Sequence, residues 1–530
     1  MTYLAVPIAG RDLKQAVPQI RSAAHAGAQM LELRTDYLED LNTSVVKELI
    51  AAAGSETERS LPIIVTCRAK EQGGRFEYPD DLRISILTQA LKAGAEFIDF
   101  EYEKLLTAAN LHKIKQALSQ TRAGRLIISA HDFDKKFDNI KKLYRDISDL
   151  LPSAIPKLVY TAGHINDCFE AFDLLNETRG EKIVFCMGQA GLVSRIIAKK
   201  LGSLVTFASL DEESATAPGQ VTIERFRKLY RYDSINADTE FLGVIGSPVA
   251  HSLSPAVHNA ALDKIGADKV YLPLLVEGGK REFDTFMDNV TARQWLGFTG
   301  FSVTIPHKES ALAYVRDRGG LVEPLAEKIG AVNTLVIGAD RKLRAYNTDY
   351  AGALDSITSK MGITRGDLNG MPAAVVGAGG AARALVAGLA DAGAKVRIYN
   401  RTVERAEKLA AEFGCDFAPL AQLNRVKAKL LINCTSVGMY PGTNVTPVPK
   451  EFLNGQMFVF DTVYNPVETL LLKQAKQAGA ETIDGLEMFV NQALAQFKLF
   501  TGRDADSEVM RQIAAVALKA AVAETGCDQA

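Results

Sequence analysis

The chain has 530 residues, 47% hydrophobic and 23% charged, with a formal net charge of −2. That length allows about three domains, and a near-neutral balance gives no reason to expect nucleic acid or an anionic membrane as a partner. Six scattered cysteines without a C-x-x-C pair argue against a disulfide frame and a thiolate metal centre, and no metal is expected. No apolar span is long enough to cross a bilayer and the start does not resemble a leader, so a cytoplasmic setting is expected.

In chain order, β-rich runs alternate with helical patterns over the first 230 residues. The runs are Tyr3–Ile8, Met30–Leu33, Pro62–Cys67, Glu96–Phe100, Arg125–Ala130, Lys157–Thr161, Lys182–Met187 and Ser203–Ala208, with a last helix candidate at Thr222–Tyr230. Eight β/α repeats in that length point to a (β/α)8 barrel, with a doubly wound open sheet as the alternative. Glu32, Arg34, Arg68, Glu101 and His131 fall late in their strands, where barrel enzymes keep their chemistry. Lys157 begins an apolar strand, where burial beside arginines disfavours an ammonium and leaves an amine able to attack a ketone. Arg195 and the stretch Thr216–Gln220 add anion and hydroxyl contacts.

Arg231–Asp238 has the polarity of a linker, and Phe241–Ile245 opens a second α/β unit that runs to about Tyr346. In that unit Ser252-Leu-Ser254-Pro precedes a helix, so two hydroxyls and free N–H groups suit a carboxylate. Lys308 sits in a loop after a β run, while Asn333 and Asp349 fall at strand ends. A lysine beside an aspartate supplies the proton donor that carbonyl reduction needs.

A third unit occupies roughly residues 366–484. The apolar run Ala373–Val376 enters Gly377-Ala378-Gly379-Gly380-Ala381-Ala382, a G-x-G-x-x-A turn followed by an alanine-rich helix. Gly377 permits the turn, Gly379 admits a pyrophosphate, and Ala382 lets helix and strand pack closely. The next strand, Lys395–Tyr399, ends in Asn400-Arg401-Thr402 with Arg405 one helical turn on. An acidic residue there would hold a ribose 2′-hydroxyl, whereas this arginine pair suits a 2′-phosphate, so the cofactor expected is NADP(H). The helices from about Glu487 onward have the period of packing helices and are expected to fold back on the second unit.

Two resemblances follow from these motifs. ELRTDYL, CRAKEQGG, SAHDF, PKLVY, SR and ATAPGQ resemble the type I 3-dehydroquinate dehydratase family over residues 1–230. That resemblance implies an imine on Lys157, proton transfer by His131, a substrate carboxylate on Arg195, and ring contacts from Glu32, Arg34, Arg68, Thr216 and Gln220. Thr216 stands where the family usually has serine. The family's acid before the paired glycines falls on Gln72, with Glu71 beside it.

SLSP, VTIPHK, GAVNT, NTDYAG, GAGGAAR, NRT, TSVGM and GLEMFVNQA, in this order, resemble shikimate dehydrogenase over residues 240–525. This implies that Ser252 and Ser254 hold a carboxylate, that Thr304, Asn333 and Gln492 bind ring hydroxyls, and that Lys308 and Asp349 form the catalytic pair. It also implies an NADP site from Gly377, Ala378, Gly379, Gly380, Ala381, Asn400, Arg401, Thr402 and Arg405, with Thr435, Met439 and Gly485 near the nicotinamide.

Together the resemblances imply an α/β chain of three domains. These are a barrel at 1–232, a substrate-binding domain at 240–348 with helices 487–527 packing back, and a Rossmann domain at 364–486. The expected chemistry is dehydration of 3-dehydroquinate, then NADPH-dependent reduction of 3-dehydroshikimate, with small molecules as partners. Two other readings stay open: a quinate dehydrogenase-like second half, and a non-catalytic sensor or repressor on the same domains.

Overall fold

The computed structural model describes residues 2–56, 61–121, 123–250, 252–425 and 428–527. The chain divides into two compact units, Met1–Glu240 with Asp268–Glu277 and Thr285–Gly297, and the remainder. Among the described residues, no helix is long and apolar enough to cross a membrane.

The first unit is built on eight parallel strands: β1 (Tyr3–Ile8), β2 (Met30–Arg34), β3 (Ile63–Thr66), β4 (Phe97–Glu101), β5 (Arg125–Asp132), β6 (Ile155–Thr161), β7 (Ile183–Met187) and β8 (Val205–Phe207). Their order is β7-β6-β5-β4-β3-β2-β1-β8, so the first strand pairs with the eighth and the sheet curls into a barrel. The open-sheet alternative fails because β1 lies between β2 and β8 with both pairings parallel. Among the described residues no ladder joins β7 to β8. That seam is tied at its base by Leu204 N–H to the Lys182 carbonyl at 2.8 Å, and at its top by Gly188 N–H to the Pro218 carbonyl at 3.1 Å. Ala5, Met30, Ile64, Ile127, Val159, Ile183 and Phe207 are among the apolar side chains that fill the interior.

The helix expected at Thr222–Tyr230 forms, but as a π-type turn over Arg225–Leu229. The linker expected at Arg231–Asp238 is partly a packed element. Tyr232 is fully buried, with its ring edge-on to Phe226 at 5.4 Å, so a large aromatic in the polar run draws it onto the barrel.

The later strands are β9 (Glu240–Gly246), β10 (Lys269–Leu275), β11 (Phe298–Val303), β12 (Leu321–Val322), β13 (Thr334–Ile337), β14 (Leu343–Tyr346), β15 (Pro372–Val376), β16 (Lys395–Asn400), β17 (Asp416–Pro419), β18 (Leu430–Asn433), β19 (Phe458–Asp461) and β20 (Glu481–Ile483). They form two six-stranded sheets, β10-β9-β11-β13-β14-β12 and β17-β16-β15-β18-β19-β20. The second of these is all parallel and reverses direction of winding between β15 and β18, the switch point where open α/β sheets bind ligands. The closing helices fold back as expected. Helix Gly485–Thr501 packs on helix Thr348–Met361, and helix Ser507–Cys527 on Ser254–Lys264. Close approach of the first pair depends on Gly352, where a Cβ would stand 2.6 Å from the backbone nitrogen of Gln492.

Candidate active sites

The barrel site is a small cavity of about 50 Å³ lined by Glu32, Arg34, Arg68, Gln72, His131, Lys157, Arg195, Thr216 and Gln220. The eight residues to which the resemblance gives a role in this half are therefore brought together, while Glu101 lies outside the cavity lining. Parallel register explains the convergence: Glu101, Ser129 and Lys157 stand opposite one another on β4, β5 and β6, and Asp99 lies two residues earlier on the same face as Glu101. Lys157 is buried, and its Nζ donates to Asp99 Oδ2 at 2.8 Å, with Glu32 Oε1 at 3.7 Å and the Phe207 ring at 4.7 Å.

Here one expectation is corrected. Lys157 was expected beside arginines, but two carboxylates face it, and Arg68, which shares Asp99 with it, is itself paired with Asp99 at 2.7 Å and Glu101 at 3.2 Å. Asp99 was not singled out in the sequence, although an acid at the centre of the apolar strand Phe-Ile-Asp-Phe-Glu is the signal that could have found it.

His131 contacts Gln72, whose Oε1 accepts from the backbone N–H of His131 and lies 3.2 Å from Nδ1. An amide oxygen only accepts, so Nδ1 carries the proton and Nε2 is left as the base. Burial, then the cations Arg68 and Lys157, hold the imidazole well below its usual pKa. Glu71 points away and pairs with Lys104. Gln72, not Glu71, is the partner of the histidine.

Arg195 is buried over the Phe185 ring at 4.6 Å, and its Nε has no hydrogen-bond partner. Burial lowers its pKa to about 10. Among the described residues no carboxylate pairs with it, so its charge is buried in the cavity wall without a counter-ion. Thr216 and Gln220 are joined by the Thr216 N–H to Gln220 Oε1 at 2.8 Å, and Arg34 is held by both oxygens of Asp36.

The second site is a cleft of about 970 Å³. Ser252, Ser254, Thr304, Lys308, Asn333, Asp349 and Gln492 all line it, with Gly380, Ala381 and Gly485. Lys308 opens a helix after β11 and Asp349 opens another after β14. Their side chains meet at 2.6 Å between Nζ and Oδ2. Asn333 Nδ2 donates to the other aspartate oxygen at 2.8 Å and to Thr348 Oγ1 at 3.0 Å, fixing the carboxylate. Gln496, which the sequence reading missed, accepts from Ser302 Oγ and donates to Thr334 Oγ1, tying the closing helix to β11 and β13. Thr462 and Tyr464 also line the cleft without having been singled out, since neither sits in a pattern that marks a ligand contact.

The remaining nucleotide candidates lie outside the cleft wall, at the carboxyl ends of β15, β16 and β18. Gly377 has φ of 115°, and a Cβ there would press on Thr435 Cγ2 at 3.0 Å. Gly379 and Gly380 face open space, and helix Gly380–Asp391 has no side-chain cap on its first N–H groups. Ala378 lies within that turn. Arg401, Thr402 and Arg405 are exposed, and neither arginine enters an ion pair among the described residues. Asn400 Nδ2 donates to the Thr402 carbonyl at 2.8 Å, and Met439 is exposed. Thr435 is held by Asn433, which Asp461 holds in turn. Free helix N–H groups, space above the glycines and two unengaged cations fit a phosphorylated dinucleotide.

Models of four families match this chain: type I 3-dehydroquinase over residues 4–237, the shikimate dehydrogenase substrate-binding domain over 244–335, shikimate/quinate 5-dehydrogenase over 360–461, and the shikimate 5′-dehydrogenase C-terminal domain over 485–514. The chloroplastic bifunctional 3-dehydroquinate dehydratase/shikimate dehydrogenase of Arabidopsis thaliana is 36% identical over 97% of this chain and 84% of its own. The chain belongs to the bifunctional 3-dehydroquinate dehydratase/shikimate dehydrogenase family. Its second half is also 40% identical to the shikimate dehydrogenase (NADP+) of Methanosarcina acetivorans, over 52% of this chain and 98% of that one. A solved shikimate 5-dehydrogenase from Thermus thermophilus, in complex with NADP(H) and shikimate, is 37% identical over 52% of this chain and 99% of its own, with a TM-score of 0.47.

Proposed function

We propose that the barrel converts 3-dehydroquinate to 3-dehydroshikimate through an imine on Lys157, and that the second unit reduces this product to shikimate with NADPH. The observation that carries the reading is a lysine–aspartate pair at the centre of each of two sites in one chain: Lys157 with Asp99 at 2.8 Å and Lys308 with Asp349 at 2.6 Å.

In the barrel, the imine formed by Lys157 withdraws electrons and makes the adjacent C–H acidic. His131 removes that proton at Nε2 and returns it to the departing hydroxyl. Arg195 takes the substrate carboxylate, which would give its buried charge a partner. Glu32, Arg34, Arg68, Thr216 and Gln220 orient the ring.

In the cleft, bound NADPH supplies a hydride to the substrate carbonyl carbon. Lys308 gives a proton to the forming alkoxide, with Asp349 holding Nζ in line and Asn333 holding Asp349. Ser252 and Ser254 take the carboxylate, and Thr304, Asn333 and Gln492 the hydroxyls. Gly377 to Ala381 cradle the pyrophosphate, Arg401 and Arg405 the 2′-phosphate with Asn400 and Thr402, and Thr435, Met439 and Gly485 the nicotinamide. The domains doing this work are 1–232, 240–348 with helices 487–527, and 364–486, in a cytoplasmic protein whose partners are small molecules.

The test is a coupled assay from 3-dehydroquinate, following enone formation and then NADPH oxidation. Borohydride added with 3-dehydroquinate should attach substrate to Lys157, and Lys157→Ala should lose dehydration while reduction persists. Attachment at another lysine would remove the assignment. Rapid oxidation of quinate by the second unit would favour the quinate reading.

A further inference from the structure

We propose that Asp99 is the catalytic counter-ion of the barrel imine, set to the charge of the intermediate before substrate arrives. The inference rests on the Lys157 reading above and concerns a residue to which no role has been given.

Atom and charge balance carry the argument. An ammonium and a ketone give an iminium and water: the C–N bond forms, the carbonyl oxygen leaves with two hydrogens from nitrogen, and the charge on nitrogen is +1 before and after. A carboxylate placed against the ammonium is therefore already placed against the iminium, and it need not reorganise during the reaction. Asp99 occupies that place, with Oδ2 2.8 Å from the Lys157 Nζ that becomes the imine nitrogen.

It is also immobile. Oδ2 accepts from Arg68 Nη2 at 2.7 Å and Oδ1 from Ser129 Oγ at 2.6 Å, while Arg68 Nη1 donates to the same Ser129 oxygen at 2.6 Å. Asp99 remains a carboxylate. Burial would push it up, but the charges of Arg68 and Lys157 outweigh burial and hold it far below the usual carboxylate range. It therefore cannot serve as the proton shuttle, a task left to His131. The charged or titratable groups around the nitrogen are Asp99 from β4, Glu32 from β2, Arg68 after β3 and His131 from β5. Among the described residues, Glu32 is the other carboxylate within 4 Å of this nitrogen. It stands farther off at 3.7 Å, and its oxygen already accepts from Thr66 Oγ1 at 2.8 Å.

An iminium is the electron sink only while protonated, so losing its counter-ion should lose catalysis as pH rises. In Asp99→Asn the alkaline limb of dehydratase kcat should move to lower pH by about one to three units, with KM changed much less. At pH 8 kcat should fall by about a hundredfold or more. Asp99→Glu, which restores the charge one methylene away, should return the limb most of the way. An Asp99→Asn enzyme whose kcat falls with an unmoved limb, or does not fall, overturns the proposal. So does a Glu32→Gln enzyme with the larger shift. A barrel melting transition matching that of the unaltered chain, read by calorimetry, reports folding. If Asp99→Asn does not fold, the pH dependence of cyanoborohydride trapping by the unaltered enzyme decides. A yield flat from pH 7 to 9 supports a counter-ion, and a yield falling through that range refutes it. No adduct on Lys157 in the unaltered enzyme at any pH would instead remove the imine reading itself.

Discussion

Single side chains set the chemistry of both sites. Lys308→Ala should reduce kcat for 3-dehydroshikimate reduction by at least about a hundredfold, a usual general-acid contribution, with little change in KM. Ser254→Ala should do the reverse, since the role proposed for its hydroxyl is to hold the substrate carboxylate and not the reacting carbonyl; steady-state kinetics of both variants checks the split. Replacing Arg401 and Arg405 by neutral residues should raise KM for NADPH about a hundredfold more than for NADH, because only one cofactor carries the 2′-phosphate proposed for them. Gln72→Glu places a carboxylate against His131 Nδ1 in place of an amide. The histidine, now held low by burial and cations, should keep its proton to higher pH. The acid limb of dehydratase activity should then move up by about one to two units, as read from a kcat profile.

Elements decide whether those side chains meet, and here sequence and structure part in instructive ways. The alternation of β and α patterns, the late-strand charges Glu32, Arg34, Arg68 and His131, and the glycine turn at Gly377 were all legible, because each is written in local spacing. Asp99 and Gln496 were not. Asp99 gains its role from parallel register, which brings β4 beside β5 and β6, and Gln496 from a closing helix whose docking partners are far away in sequence. The counter-charge to Lys157 was missed for the same reason. Gly352 makes such docking possible, since a Cβ there would stand 2.6 Å from the Gln492 backbone. Gly352→Val should push helix Gly485–Thr501 away, raising KM for the ring substrate through Gln492 and lowering Tm, whereas Gly362→Ala, with open space around it, should leave KM unchanged.

At the scale of the whole molecule, a buried histidine should make the second unit acid-sensitive. His258 is fully buried between the rings of Phe497 and Phe500, and burial lowers its pKa to about 3. The unfolded chain binds its proton near the ordinary value of about 6.5. Stability from the neutral ring is thus complete above that pH and declines as pH falls through the interval, by up to about 1.4 kcal/mol per unit. His258→Phe, which fits between two aromatic rings and does not titrate, should flatten the fall of the second unit's Tm between about pH 6 and 4. An unchanged slope would place the acid sensitivity elsewhere.

The unladdered seam between β7 and β8 gives the barrel a door. Its upper fastening is the Pro218 carbonyl, which accepts from Gly188 N–H at 3.1 Å and from Arg195 Nη2 at 3.5 Å, and the segment it fastens carries Thr216 and Gln220 over a space of about 50 Å³. Because Thr216 and Gln220 line the proposed substrate site, movement of this segment should govern admission and release of substrate. Gly219 permits the closed position, with φ of 68° and a would-be Cβ 2.3 Å from the Gly188 carbonyl oxygen. Gly219→Ala should leave the door ajar. Amides of 210–220 should exchange faster, KM for 3-dehydroquinate should rise, and imine trapping on Lys157 at saturating substrate should persist, because the hinge governs passage and not the bond-making beneath it.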